Sequence, residues 1–335
     1  MKINFVNHLT CPNHSDRNIK LSIKSLICQS ENECTEGFLE CKECEATFPI
    51  IDGIAIIVND IAGYIETRTE IYGRWILNCK SNDLKEYLKN IGKKISNPTN
   101  IDRYEEGGIL FPTYKWMQNA NHTEDRLMKL LRWKIKPNEI HYKIIHGLNT
   151  KLDGIVLDIG CATGTTTLQL TNKFSFVIGV DLSFSFIKEA RKNMYESNIS
   201  NVEFFVMDVT YVPFSQLKFD LIIALNVIEL VNTRLFLKMT HKILKPHAEM
   251  IIASPYDFNR EKTIDKIYDE KSLRDILRSS GFEISVKTES ETFTPWILKI
   301  SERTYLFYFV DFIKVKKISK HKSKEMPLKE YDRRF

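Results

Sequence analysis

A chain of 335 residues, 43% of them hydrophobic and 27% charged, is long enough for two domains with a real core, one of ordinary α/β size and one small. It is modestly basic, with a formal net charge of +5, and no apolar run approaches the roughly 20 residues needed to cross a bilayer, so no membrane partner is expected. The first residues, Met-Lys-Ile-Asn-Phe-Val-Asn-His, lack the apolar core of a secretory signal; a cytoplasmic location is therefore expected, and a disulfide framework is not. The cysteines concentrate near the start. Cys11-Pro-Asn-His14 and Cys41-Lys-Glu-Cys44 form two knuckles of the Cys-x-x-Cys/His kind, a spacing that can set four ligands tetrahedrally around one Zn²⁺. Such a clamp lets a short segment with little core fold, and a closed site of this kind is structural. Cys28 and Cys34 add two further thiols, which leaves open whether His14 or one of them completes the set. The competing reading is that no metal is bound and the thiols are small buried residues.

The stretch from Cys41 to Ile57, with Phe48-Pro-Ile-Ile-Asp-Gly-Ile-Ala-Ile-Ile, resembles the end of the small zinc-ribbon proteins that partner tRNA and protein methyltransferases. In those proteins a Cys-x-x-Cys is followed by an aromatic residue, Pro-Ile and Asp-Gly-Ile. The resemblance implies a zinc-ribbon-like domain over residues 1–59, in which Pro49, Asp52 and Gly53 shape the turn into a strand; His14 stands where that family usually has cysteine. Residues 60–150 read as a helical linker or cap. Ile61 to Ile95 has helical periodicity, Asn97-Pro-Thr-Asn100 is a break, Gly107-Gly-Ile-Leu-Phe-Pro112 suggests a loop, and His122 to His141 is again helical.

Residues 151–314 carry the strongest signal. Ile155 to Ile159 is a short apolar strand with Asp158 near its end, and Gly160, Ala162 and Gly164 keep the following turn almost free of side chains. A nicotinamide loop wants Gly-x-Gly-x-x-Gly, whereas Asp-x-Gly-x-Ala-x-Gly resembles the first motif of class I S-adenosylmethionine (SAM) methyltransferases. Further strands are predicted at Phe176 to Val180, Val202 to Met207 and Phe219 to Leu225. Asp181 follows the first of these, about twenty residues beyond Asp158, where a carboxylate can accept hydrogen bonds from both ribose hydroxyls. Ser183 is a cap for the helix Phe184 to Asn193. By the same resemblance Asp208 meets the adenine amino group with Val209 beside it, and the cofactor-binding set comprises Asp158, Gly160, Cys161, Ala162, Gly164, Asp181, Leu182, Asp208, Val209 and Asn226. The nicotinamide-binding fold is the structural rival.

Downstream, Thr233 to Leu244 is helical, and the bend Leu244-Lys-Pro246-His-Ala, where the family often has Lys-Pro-Gly-Gly, leads into the strand Met250 to Ala253. Ser272 is expected to cap the helix Leu273 to Ser280, stopped by Gly281. Phe282 to Val286 and Tyr305 to Phe312 read as an antiparallel pair closing the sheet. The expected fold is α/β: a Rossmann-like, seven-stranded, mostly parallel sheet with helices on both faces, plus the small zinc-ribbon-like domain and a basic tail over residues 315–335.

Methyl transfer from a sulfonium mainly requires alignment, exclusion of water and, for a protonated acceptor, removal of a proton. Asn226-Val-Ile-Glu229 lacks the Asn/Asp-Pro-Pro-aromatic sequence of base-directed N-methyltransferases and is closer to small-molecule enzymes, which commonly have Leu-Glu-His; Leu230 replaces that histidine. Tyr256 and Asp257, in Ser254-Pro-Tyr-Asp-Phe258, are the catalytic candidates. Thr294-Pro-Trp-Ile-Leu-Lys, with Arg303 and Tyr305, resembles methyltransferase domains associated with thiol-histidine biosynthesis, which implies a small amine, imidazole or peptide-borne acceptor with Trp296 and Arg303 lining its pocket. Tyr104, Tyr114, Trp116 and Arg126 are further candidates for covering the cofactor and substrate. The leading expectation is transfer to nitrogen, with oxygen or sulfur as alternatives, on a small molecule or peptide. Two other readings stay open: a tRNA or rRNA methyltransferase that docks RNA through the ribbon and the lysine-rich stretch Lys314 to Lys324, and a SAM-binding partner protein without catalysis.

Overall fold

The computed structural model describes residues 1–14, 17–30, 32–99, 102–119, 122–131, 136–149, 151–211, 213–214, 217–256 and 269–318. The strands are β1 (Ser22–Ser30), β2 (Glu33–Glu40), β3 (Thr47–Ile51), β4 (Ile54–Ile57), β5 (Lys151–Ile159), β6 (Phe174–Asp181), β7 (Val202–Met207), β8 (Phe219–Leu225), β9 (Leu244–Ser254), β10 (Phe282–Ile284), β11 (Thr294–Ser301) and β12 (Thr304–Lys317). The helices are α1 (Ile61–Glu66), α2 (Thr69–Asn78), α3 (Asn82–Gly92), α4 (Leu110–Asn119), α5 (Arg126–Leu131), α6 (Glu139–His146), α7 (Thr165–Leu170), α8 (Phe184–Glu196), α9 (Thr233–Ile243) and α10 (Glu270–Ser279). No described helix is long and apolar enough to cross a membrane.

Seven strands run in the order β7-β6-β5-β8-β9-β12-β10, all parallel except β12, which is antiparallel to both of its neighbours. This is the expected sheet. Both faces are covered, so its central strands are near-continuous apolar runs rather than alternating ones. Leu157, Ile159, Ile178, Val180, Ile222 and Ala224 face one core with Phe236 and Leu237 of α9 and Leu273 and Leu277 of α10. Val156, Val177, Phe204, Leu221 and Ile223 face the other, with Ile187, Ala190 and Met194 of α8 and Ile140 and Ile144 of α6.

The boundary expected near residue 59 is not a gap between separate bodies. β1 to β4 form an antiparallel meander whose last strand pairs in parallel with β7, Ile56 opposite Val206 and Ile57 opposite Met207, so the sheet continues to twelve strands. Asp52 and Gly53, both at positive φ (51° and 73°), make the two-residue turn between β3 and β4. The junction is closed by Arg191 of α8, 4% exposed, whose guanidinium meets Glu203 of β7 at 2.6 Å and Glu33 of β2 at 2.7 Å. The apolar faces of a short meander would otherwise be open to water; docking on the sheet edge buries Ile54, Ile56 and Val58 with α1 to α3.

Several local expectations are corrected. Pro112 lies in the first turn of α4, where its missing N–H has no intrahelical partner to lose, so the expected 107–112 loop ends at Ile109. The helix at His122 to His141 is replaced by a short 3₁₀ turn, α5 and α6. Asp269, not Ser272, caps α10: its carboxylate accepts from Ser272 N at 2.7 Å and Ser272 Oγ at 2.6 Å. Residues 304–310 pair with β11, an unexpected strand, and residues 311–316 with β9, while β10 pairs with the far end of β12, Phe282 opposite Lys317. β12 therefore takes in residues 315–317 of the expected tail; residues 319–335 lie outside the described ones. At the Lys-Pro-His-Ala bend, His247 occupies the left-handed region (φ 61°) that glycine fills in the related motif.

Candidate functional site

The carboxyl ends of β5, β6, β8 and β9 converge on the turn from β5 into α7. Gly160 (φ 70°), Ala162 (φ 46°) and Gly164 (φ 81°) all lie in the left-handed region, which fits the need for small residues there. The packing adds a second reason: a Cβ on Gly160 would stand 2.4 Å from Val227 Cγ2, and one on Gly164 would stand 3.0 Å from Ala190 Cβ and from the Phe204 ring. Gly160 is thus required by the protein's own interior.

The amides of this turn are used internally. Gly160 N and Cys161 N donate to Val180 O (2.8 and 3.1 Å), and Gly164 N to Cys161 O (2.9 Å). Ala162 N donates to Asp181 Oδ2 (3.0 Å) and Thr163 N to Gln118 Oε1 (3.1 Å). A pyrophosphate-binding loop needs such N–H groups turned toward its ligand; here they are spent on β6, on α4 and within the turn itself, which suits a ligand carrying no phosphate. Asp158, 2% exposed, sits beneath the turn and accepts from Thr167 Oγ1 at 2.6 Å; burial pushes it up to about 7. Its position is that of an organiser of the turn.

Asp181 ends β6 beside the same turn. Its Oδ1 accepts from Ser183 N at 2.9 Å, and burial raises the carboxyl to about 6 against the pull of the Ser183 and Ala162 amides. Leu182 is 41% exposed, and its carbonyl accepts from Tyr64 OH at 2.9 Å. Ser183 caps α8, its hydroxyl accepting from Phe186 N at 3.1 Å.

A second carboxylate, absent from the expected set, locks this corner. Glu105, 1% exposed, accepts from Phe184 N and Ser185 N, both at 2.9 Å, and from Ser183 Oγ at 3.1 Å, while Arg68 Nε donates to it at 3.0 Å. Arg68 also pairs with Asp102. A negative group at the first turn of α8 complements the helix dipole, and the linker thereby holds the Asp181 turn. Glu105, Arg68 and Gln118 carry no motif, since their partners lie far away in the chain.

Asp208 accepts from Thr210 N (2.9 Å) and Thr210 Oγ1 (2.6 Å) as β7 turns into a 3₁₀ segment beginning at Val209, which packs half-buried against the core. Asn226, after β8, is left-handed (φ 55°), and its buried Oδ1 has no hydrogen-bond partner. Beside it Glu229 accepts from Ser254 Oγ.

Tyr256 does not point to chemistry. Its hydroxyl donates to Asp311 Oδ2 at 2.6 Å, Arg274 Nη1 reaches the same oxygen at 2.7 Å, and burial together with that carboxylate drives the phenol far above its ordinary value. The ring is a strut between the β9 end and β12, and a phenol so held is a poor base. Asp257 lies outside the described residues.

Near Asn226 and Glu229 a cleft of about 60 Å³ opens against α4 and the β11–β12 hairpin, walled by Tyr114, Trp296, Leu298 and Tyr308. Trp296 is 2% exposed and meets Tyr114 edge-on at 6.1 Å between centroids. Arg303 instead sits exposed at the hairpin turn, Arg126 is exposed on α5, and Trp116 packs on Tyr305, so these three are not among the described walls of the cleft; the Tyr104 ring meets Tyr114 at a tilt, 6.0 Å between centroids. Of the lysine-rich stretch, Lys314 pairs with Glu249 at 2.9 Å, and Lys317 Nζ donates to the carbonyls of His241 and Leu244.

At the other end of the molecule Cys11, His14, Cys41 and Cys44 bring their ligand atoms within 4.8 Å of one another, with Cys11 Sγ and Cys44 Sγ 3.7 Å apart. His14 Nε2 is buried and unpartnered. Cys28 and Cys34 oppose each other across the β1–β2 hairpin instead. Among the described residues the four-ligand cluster is the one containing His14.

Residues 151–306 match a family model described as a methyltransferase domain. An uncharacterized protein of Methanocaldococcus jannaschii is 30% identical over 185 residues, which cover 53% of this chain and 76% of that protein. An uncharacterized RNA methyltransferase of Clostridium tetani is 28% identical over 134 residues, 39% of this chain; the match spans only 29% of that relative's length. The chain is also similar to magnesium protoporphyrin IX methyltransferase of Synechocystis PCC 6803, at 16% identity and a TM-score of 0.43 over 62% of this chain and 93% of that one.

Proposed function

Starting from a chain that belongs to the methyltransferase-domain family and is a SAM-dependent methyltransferase, we propose that it methylates a nitrogen, or alternatively an oxygen or sulfur, of a small-molecule or peptide acceptor lodged in the Tyr114–Trp296–Tyr308 cleft. SAM supplies an electrophilic methyl group on a sulfonium when bound. Gly160, Ala162 and Gly164 leave room for it, Asp181 offers its carboxylate to the ribose hydroxyls, Asp208 and Val209 flank the adenine, and Asn226 borders the methyl-bearing end. Cys161 and Leu182 complete that wall.

The observation that carries this reading is the turn with its amides satisfied internally and a carboxylate at the next strand end, opening beside an apolar, aromatic cleft. Such a cleft excludes water and orients an acceptor without an obligatory base. Cys11, His14, Cys41 and Cys44 would hold Zn²⁺ as a structural ion, three thiolates and one imidazole being an ordinary donor set for it. RNA remains the second reading, favoured by the similarity to the Clostridium tetani protein.

Calorimetric titration with S-adenosylhomocysteine tests the cofactor assignment. Binding that falls at least about tenfold in Asp181→Ala supports the ribose contact, since a lost charged hydrogen-bond pair is worth about 1.5–3 kcal/mol. Unchanged affinity would sink it.

A further inference from the structure

We propose that Cys28 and Cys34 form a reversible disulfide, so that the β1–β2 hairpin carries a thiol-modification site separate from both the cofactor turn and the four-ligand cluster. The two residues face each other across the antiparallel ladder, and both thiols are free. The pairing is of the close kind. Cys34 spends its N–H and its carbonyl on the Met1 backbone, each at 2.9 Å, so both turn away from Cys28. Facing residues of an antiparallel pair that exchange no hydrogen bonds have Cα atoms about 4.5 Å apart, and a disulfide spans Cα atoms about 4.4–6.8 Å apart. The register skips Thr35 between the Ile27–Glu36 and Cys28–Cys34 pairs. This bulge is fixed by Thr35 Oγ1 donating to Ile27 O at 3.1 Å and by Gly53 N donating to Thr35 O at 2.7 Å, and bulges re-aim side chains.

The surroundings give the two thiols different parts. Cys28 is exposed, whereas Cys34 is fully buried and donates its S–H to Glu36 O at 3.0 Å. Burial, with the Cys28 sulfur beside it, pushes the Cys34 thiol up to about 12, so Cys28 is the one that meets an oxidant as a thiolate. The co-reactant is a small-molecule disulfide such as oxidised glutathione. Cys28 Sγ attacks one of its sulfurs, breaking that S–S bond and releasing one thiol. Cys34 then gives its proton to solvent, attacks Cys28 Sγ and releases the second thiol, its proximity offsetting its reluctance to ionise. One small disulfide is reduced to two thiols as the two protein thiols are oxidised. The other cysteines are placed differently: Cys11, Cys41 and Cys44 belong to the four-ligand cluster, and Cys79 and Cys161 are buried. The bridge closes on the residue next to Glu33, whose carboxylate meets Arg191 at 2.7 Å, and Arg191 in turn holds Glu203 of β7. Oxidation therefore pins the hairpin end that ties the meander to the main sheet.

The test treats the zinc-supplemented full chain with oxidised glutathione, quenches with an alkylating reagent and maps the modified peptides by mass spectrometry. A Cys28–Cys34 crosslink should form, two hydrogens lighter than the reduced pair, and an excess of reduced glutathione should reopen it. In the reduced chain Cys28 should alkylate at least about tenfold faster than Cys34, as exposure and thiolate character dictate. Cys28→Ser, at an exposed position, should abolish the crosslink, and Cys34 should stay as slow to alkylate as before, which reports that the variant is folded. Three results would overturn the proposal: Cys28 held as a lasting mixed disulfide while Cys34 stays free, a crosslink from Cys28 to any other cysteine, or no reaction at Cys28.

Discussion

Replacing Gly160 with alanine probes the turn on which the cofactor assignment depends, and its cost can be worked out from two independent terms. The backbone stands at φ 70°, where an L-residue with a side chain is disfavoured by about 1–2 kcal/mol. The new Cβ would also lie 2.4 Å from Val227 Cγ2, and Val227 is 5% exposed, so it has little room to move. Overpacking of this kind costs about 1–3 kcal/mol, giving a total of about 2–5 kcal/mol in a urea denaturation series. Val227→Ala should separate the two terms: in the double variant the steric part vanishes and the left-handed part stays, so the two substitutions are non-additive by about 1–3 kcal/mol. Because Val227 adjoins Asn226, S-adenosylhomocysteine affinity should drop in the single variant and recover in part in the double. A Gly160→Ala loss under about 0.5 kcal/mol, the range of ordinary surface changes, or strict additivity with Val227→Ala, would refute the reasoning.

Glu105→Gln keeps the shape but removes the charge that pairs with Arg68 and caps α8; breaking a buried pair costs about 3–5 kcal/mol, so the thermal midpoint should fall, and S-adenosylhomocysteine binding with it. Burial holds Asp181 at about 6 and Asp158 at about 7, above the ordinary 3.8. The folded chain therefore binds these protons more tightly than the unfolded one, and this contribution to stability is complete below the ordinary value and lost as pH rises through about 6 to 7. Cofactor affinity should run the other way, strengthening as Asp181 ionises through about pH 6, and Asp181→Asn should flatten that rise in a calorimetric pH series. Metal analysis should find one zinc per chain, and Cys41→Ser should release it and lower the first unfolding transition, because a structural site of this type contributes on the order of 10 kcal/mol of folding free energy; a full chain without zinc, folded as before, would dismiss the ion.

The central sheet was readable because its strands are buried on both faces and end on acids. Residues 156–159, 177–180, 202–207 and 219–225 are apolar runs of the length a parallel strand needs, and Asp158, Asp181 and Asp208 mark their ends. What escaped depends on partners distant in sequence. β11 looks like a loop because Thr294-Pro295 opens it, yet Pro295 faces Phe309 at the hairpin, where its ring is tolerated. The joining of β4 to β7 turns on backbone groups that every sequence possesses. Glu105 resembles any surface glutamate until Arg68 and the α8 amides surround it. Tyr256 occupies the expected edge, but Asp311 and Arg274, which decide its chemistry, lie on β12 and α10.

Incubating the full chain with methyl-labelled SAM and cell extract separated into RNA, protein and low-mass fractions tests the acceptor assignment most directly. Label entering the low-mass or peptide fraction, and lost with Asp181→Ala, is the predicted result. Label entering RNA alone would contradict the acceptor assigned to the Tyr114–Trp296–Tyr308 cleft.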